Sequence, residues 1–116
     1  MNSIHFKQLQ DTDRINGTSF HSDVVFATPN EMKHLLGNPH WEHNDGEDKT
    51  NMEWFMEMQD GNVFTVYDYK EYKSLHPNER VEWHIGAKSR FDSHLAKQLL
   101  SEELQLAHDE MMRNLK

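Results

Sequence analysis

The strongest pattern in the chain is a double alternation between residues 52 and 69. Met52, Trp54, Met56 and Met58 alternate with Glu53, Phe55 and Glu57, and a run of β-formers follows from Val63 to Tyr69. Asp60-Gly61 sits between the two runs, so the segment predicts a strand, a tight turn and a second strand. The turn type sets the register. A two-residue turn puts Trp54 opposite Tyr67, Met56 opposite Thr65 and Glu53 opposite Asp68, and so places two carboxylates side by side. A type I turn with Gly61 as a bulge puts Trp54 opposite Val66, Met56 opposite Phe64 and Glu53 opposite Tyr67. The second register is preferred, because it gathers Trp54, Met56, Met58, Phe64 and Val66 on one apolar face. Glu53, Phe55, Thr65, Tyr67 and Tyr69 then share the other face, which suits either a ligand or a second half-buried layer.

The same reading extends along the chain. Ile4–Leu9 alternates weakly and predicts a short strand; Asp11, Asp13, Asn16 and Gly17 are turn formers. Thr18–Ala27, with Val24, Val25 and Phe26, predicts a second strand. Thr28-Pro29-Asn30-Glu31 has the form of a capping box with proline at the first helical position. A short helix follows, with Met32, Leu35 and Leu36 on its apolar face, Gly37 ending it and Pro39 blocking its continuation. Residues 38–50 read as a long exposed loop carrying Trp41, and 73–80 as a polar connection containing Pro77. Val81, Trp83 and Ile85 alternate with Glu82, His84 and Gly86, a further strand.

Ser89-Arg90-Phe91-Asp92 repeats the capping pattern and opens a helix reaching about Asn114. Its apolar residues fall in two stripes. One holds Phe91, Leu95, Leu99 and Leu106; the other, about 140° away, holds Leu100, Leu104, Ala107, Met111 and Leu115. Either Ser101-Glu102-Glu103 breaks and recaps the helix, or one stripe packs on the sheet and the other on a second subunit. The element order is β-β-α-β-β-β-α. It predicts a single α+β domain over 1–116: an antiparallel sheet of about five strands with one short helix and a long C-terminal helix packed on one face.

At 116 residues the chain is long enough to bury roughly two thirds of its unfolded surface in one core. Its hydrophobic content is low at 35%, but aromatics at 10% argue for an ordered core. The net charge of −8 argues against direct DNA or RNA binding and against docking on anionic lipid. Cysteine is absent, which removes disulfides, thiolate metal sites and a cysteine nucleophile, and fits a reducing cytoplasm. The first residues, Met1 to Gln8, lack the apolar core of a signal peptide, and no run is long enough to span a bilayer.

Candidate chemistry is sparse. His40, His43, Asp45, Glu47 and Asp48 offer metal-ligand atoms, but in a polar loop with a common spacing, so no metal and no cofactor are assigned. His94 and His108 read as solvated helix residues. His84, beside Trp83 and near Gly86, can join Asp68 and Lys70 in a polar cluster, or pair with Asp68 or Glu82 as acid and base. A glycine there also permits close approach of backbone or ligand. No nucleophile elbow and no glycine-rich phosphate loop is present. Phosphate, if bound, would meet Lys70, Lys73, Lys88 and Arg90 at the start of the last helix.

Taken together, several segments are distinctive. They are Gly17-Thr18-Ser19, Gly37-Asn38-Pro39, Asp60-Gly61, Tyr67-Asp68-Tyr69-Lys70 and Trp83-His84-Ile85-Gly86. As a set they resemble small uncharacterised proteins of tailed bacteriophages, over most of the chain; Ala87 stands where the resemblance leads one to expect a second glycine. The resemblance implies no activity by itself, but small accessory phage proteins often bind and disable a host enzyme or sequester a host signal. The expectation is therefore a binding protein of the host cytoplasm, oligomeric, that inhibits a defence or metabolic system by holding a nucleotide signal or blocking a host protein. In its sharper form a nucleotide lies between the aromatic sheet face and the C-terminal helix, with Trp54, Tyr67, Asp68, Lys70, Trp83, His84 and Arg90 as ligand-binding residues. The alternatives are a small hydrolase using His84 and Asp68, and a structural protein that self-associates.

Overall fold

A computed structural model describes residues 5–114 of the chain. In order the elements are β1 (Phe6–Gln8), a 3-10 turn (Thr12–Ile15), β2 (Ser19–Ala27), α1 (Pro29–Leu36) and β3 (Trp41–Glu42). Then come β4 (Met52–Met58), β5 (Val63–Asp68), β6 (Val81–Ala87) and α2 (Arg90–Asn114). The fold is α+β. All pairings are antiparallel, in the order β1-β4-β5-β6-β2, with β3 also on β4. Ile4, the Met111 side chain and Leu115 lie outside the described residues.

The hairpin takes the bulged register. Gly61 N–H donates to Met58 O, Gly61 has a φ of 88°, and Met58 N–H then reaches Asn62 O. Trp54 consequently faces Val66, Met56 faces Phe64 and Glu53 faces Tyr67. Burial alternates along β4 in step, with Met52, Trp54, Met56 and Met58 buried. This face forms the core with Val81, Trp83 and Ile85 of β6. Trp54 and Trp83 meet edge to face at 5.3 Å, and their indole N–H groups donate to Gly37 O and Ala27 O.

α1 begins as its capping box requires: Thr28 Oγ1 accepts from Glu31 N–H, and Glu31 Oε1 accepts from Thr28 N–H. Its C-terminal carbonyl is held by Gln8, whose side-chain amide donates to both Leu36 O and Asn38 O. Met32, Leu35 and Leu36 join the same core.

α2 is one continuous helix, so Ser101-Glu102-Glu103 does not break it. Ser93, Ala96 and Leu100 are buried against the sheet, and Leu95, Leu99 and Leu104 flank the core half-buried. Phe91 and Leu106 face solvent, 74% and 61% exposed. The two stripes thus resolve into one packed face, a half-buried margin and two outward residues on a single rod. Both helices lie on one side of the sheet.

Two segments read as polar connections are more ordered than expected. Trp41–Glu42 pairs with Glu53 and Met52 as the short strand β3, inside the segment expected to be an exposed loop. Leu75, in the connection after β5, is buried. Asn44 explains why: its side chain donates to Leu75 O and accepts from Leu75 N–H, imitating a strand partner. Gly46 lies so close to Lys73 backbone that a β-carbon there would come within 2.6 Å. Among the described residues no helix is long and apolar enough to cross a membrane.

Candidate functional site

Because the helices share one side, the other side of the sheet carries no α-helix. Alternation decides what it displays. Tyr67 opposes His84 across β5 and β6, so both side chains leave the sheet on this outer face. β2 adds Phe20, whose ring stacks on His84 at 4.3 Å. Tyr69, just past β5, stacks on the other side at 5.4 Å, and Tyr67 lies 5.7 Å from the same imidazole. Four rings thus converge, with Phe20 43% exposed.

Beside them is a recess of about 370 Å³, lined by Thr65, Tyr67, Tyr69, Glu53, Ile15 and Gly86. The 3-10 turn closes the hairpin end of this face: Arg14 binds Glu57 at 2.7 Å and the carbonyl of Gly61. That hydrogen bond holds the Glu57 carboxyl below the usual carboxylate range. At the opposite end Lys70 Nζ lies 5.1 Å from the Tyr69 ring centre. Burial, reinforced by Tyr69 and the Glu53 carboxylate, raises the Tyr67 phenol above 10.0, so at neutral pH it stays a hydrogen-bond donor.

No family model matches the chain, and no curated protein matches it.

The residues singled out from sequence divide by sheet face. Tyr67, His84 and, at its edge, Lys70 come together. Trp54 and Trp83 are fully buried on the core side, with their N–H groups satisfied. Asp68 is also fully buried there, and it accepts from Asn51 N–H, Asn51 Nδ2 and Met52 N–H at 2.8–3.0 Å. It opposes Trp83, so it points away from His84, and the His84–Asp68 pair and the His84-Asp68-Lys70 cluster do not form. The carboxylate nearest His84 is Glu82, at 3.9 Å on the same strand.

Arg90 is exposed at the first turn of α2, beyond Ala87, whereas His84 lies three residues back along β6. The start of α2 instead joins the hairpin turn, where Asn62 donates to Asp92. Since α2 packs on the core side, the sheet separates it from the aromatic rings, and no ligand can lie between them. Gly86 does not open space for a ligand either: Thr65 Oγ1 fills the position a side chain would take.

Phe20 was not legible as a member of the cluster. It reaches His84 only because β2 pairs with β6, a long-range contact, and because β2 bulges between Phe20 and Val24 with Ser22 at a φ of 74°. Neither event leaves a local signal.

The histidine-rich loop also separates. His40 Nδ1 accepts from Phe55 N–H and its Nε2 donates to Leu9 O, so the ring bridges β4 and the segment that follows β1. His43, Asp45 and Asp48 remain grouped, with ligand atoms within 4.8 Å and all three exposed.

The outer face can therefore stack planar groups, donate from Tyr67 and offer a cation at Lys70. In the recess the Thr50 hydroxyl also donates to the Glu53 carboxylate at 2.7 Å.

Proposed function

We propose that the protein acts by binding and that the outer aromatic face is its binding surface for a nucleotide signal. The observation carrying this reading is the convergence of Phe20, Tyr67, Tyr69 and His84 beside a recess on the helix-free face. Bases stack on such rings with about 1–3 kcal/mol each. Lys70 and Lys49 flank this face and suit a phosphate. The resemblance to small tailed-phage proteins supports a target in the bacterial host: a phage accessory protein, active in the host cytoplasm, that inhibits a defence or metabolic system by withholding the signal.

Isothermal calorimetry with cyclic di- and trinucleotides tests this. Saturable heat is expected, weakened about tenfold or more by His84→Ala. No heat with any cyclic nucleotide would overturn the nucleotide reading. A second reading, self-association, is favoured by exposed Phe91 and Leu106 on α2. Sedimentation of a monomer at micromolar concentration would count against it.

A further inference from the structure

β2 ends the sheet. Among the described residues no strand pairs with its outer edge, so alternate N–H and C=O groups of Val24–Ala27 face outward. Natural edges are commonly blunted by charge, proline or a covering element. Here the bulge at Ser22 ends before Val24, and Val24–Ala27 regains regular pairing with β6. Beside this edge runs a groove of about 640 Å³ between the strand and the middle of α2, from Lys97 to His108. Val24, Phe26 and Leu104 give it apolar surface, and Phe26 is 52% exposed.

Its charge departs from that of the chain. The protein carries −8, yet the groove is lined by Arg80, Lys97 and His108. The one carboxylate in the lining, Glu31, is already engaged by Thr28 N–H in the capping box. Among the described residues Lys97 and His108 have no ion-pair partner; Arg80 lies over the Phe26 ring at 5.6 Å, also without a carboxylate.

We infer that this groove is a docking site for an extended, acidic peptide segment of a partner protein, added to β2 as a further strand. The edge supplies main-chain hydrogen bonds, Phe26 and Leu104 take alternate apolar side chains, and Arg80 and Lys97 take the carboxylates. This surface is separate from the outer aromatic recess and does not rest on its reading.

Selection of an mRNA-displayed random peptide library, of about ten residues per peptide, against the full chain tests it. Recovered peptides are expected to be rich in Asp and Glu alternating with apolar residues. In fluorescence anisotropy a recovered peptide should bind about tenfold more weakly to Arg80→Glu/Lys97→Glu, and more weakly as salt rises. These two side chains are exposed, so circular dichroism should show the variant folded. Methylating alternate backbone nitrogens of the peptide should abolish binding. Enrichment without acidic bias, no enrichment, or unchanged affinity after N-methylation would each overturn the proposal. So would sedimentation of a dimer that Arg80→Glu/Lys97→Glu dissociates, since a second copy would then occupy the groove.

Discussion

Thr65 Oγ1 occupies the space in which Gly86 would carry a side chain. A β-carbon built on Gly86 lies 2.5 Å from that oxygen. Both residues sit mid-sheet, opposed across β5 and β6, so neither backbone can yield cheaply. Gly86→Ala is expected to cost about 1–3 kcal/mol. Thr65→Ala in the same chain should restore part of that loss. Chemical denaturation of the two single variants and the double variant measures the coupling.

Asp68 clamps the start of β4 to the end of β5. Its removal leaves three donors of Asn51 and Met52 facing a void. Asp68→Ala should destabilise by about 1–3 kcal/mol for each buried donor left unsatisfied. Urea unfolding checks this, and an unchanged midpoint would show that water replaces the carboxylate.

Tyr67 carries an alkaline signature. Its folded-state phenol pKa is raised above 10.0, chiefly by burial. The folded state therefore holds that proton more tightly than the unfolded state. Stability is retained below 10.0 and falls as the pH climbs from 10.0 through the raised value. Thermal melts should register this decline, and Tyr67→Phe should lessen it. In an ultraviolet titration, Tyr67→Phe should also remove a phenolate step above 10.0.

Leu100 and Leu106 lie on the same helix but in opposite surroundings. Leu100 is fully buried and Leu106 is 61% exposed. Leu100→Ala should cost about 2–5 kcal/mol. Leu106→Ala should stay within about 0.5 kcal/mol in the monomer. A matching loss at Leu106 in a concentration-dependent melt would instead point to a subunit interface.

What the chain made legible was local. The hairpin register followed from Gly61 and from avoiding a Glu53–Asp68 contact, and the α1 cap followed from Thr28, Pro29 and Glu31. The face shared by Tyr67 and His84 was half legible, because each strand's alternation is visible but the pairing of β5 with β6 must be assumed. Long-range order left no such trace. Leu75 stands in a polar stretch, and its burial depends on backbone hydrogen bonds from the distant Asn44. Phe20 entered the aromatic cluster through a strand pairing across more than half the chain. Trp54, Asp68 and Trp83 are chemically capable side chains, yet the same alternation places them in the core.

The bulge in β2 has a consequence for assembly. Just past it, Asp23 shares the buried face with Val25 and Ala27, and its carboxylate accepts from Ser93 Oγ at 2.6 Å and from His94 Nδ1 at 2.7 Å. β4, β5 and β6 form a meander that can zip from neighbour to neighbour, whereas β2 must close a long loop before it gains anything. The edge strand is thus expected to arrive late, with Asp23 fastening it to a helix made from the far end of the chain. Slow amides in the meander and faster exchange along Val24–Ala27 would be the mark of that order.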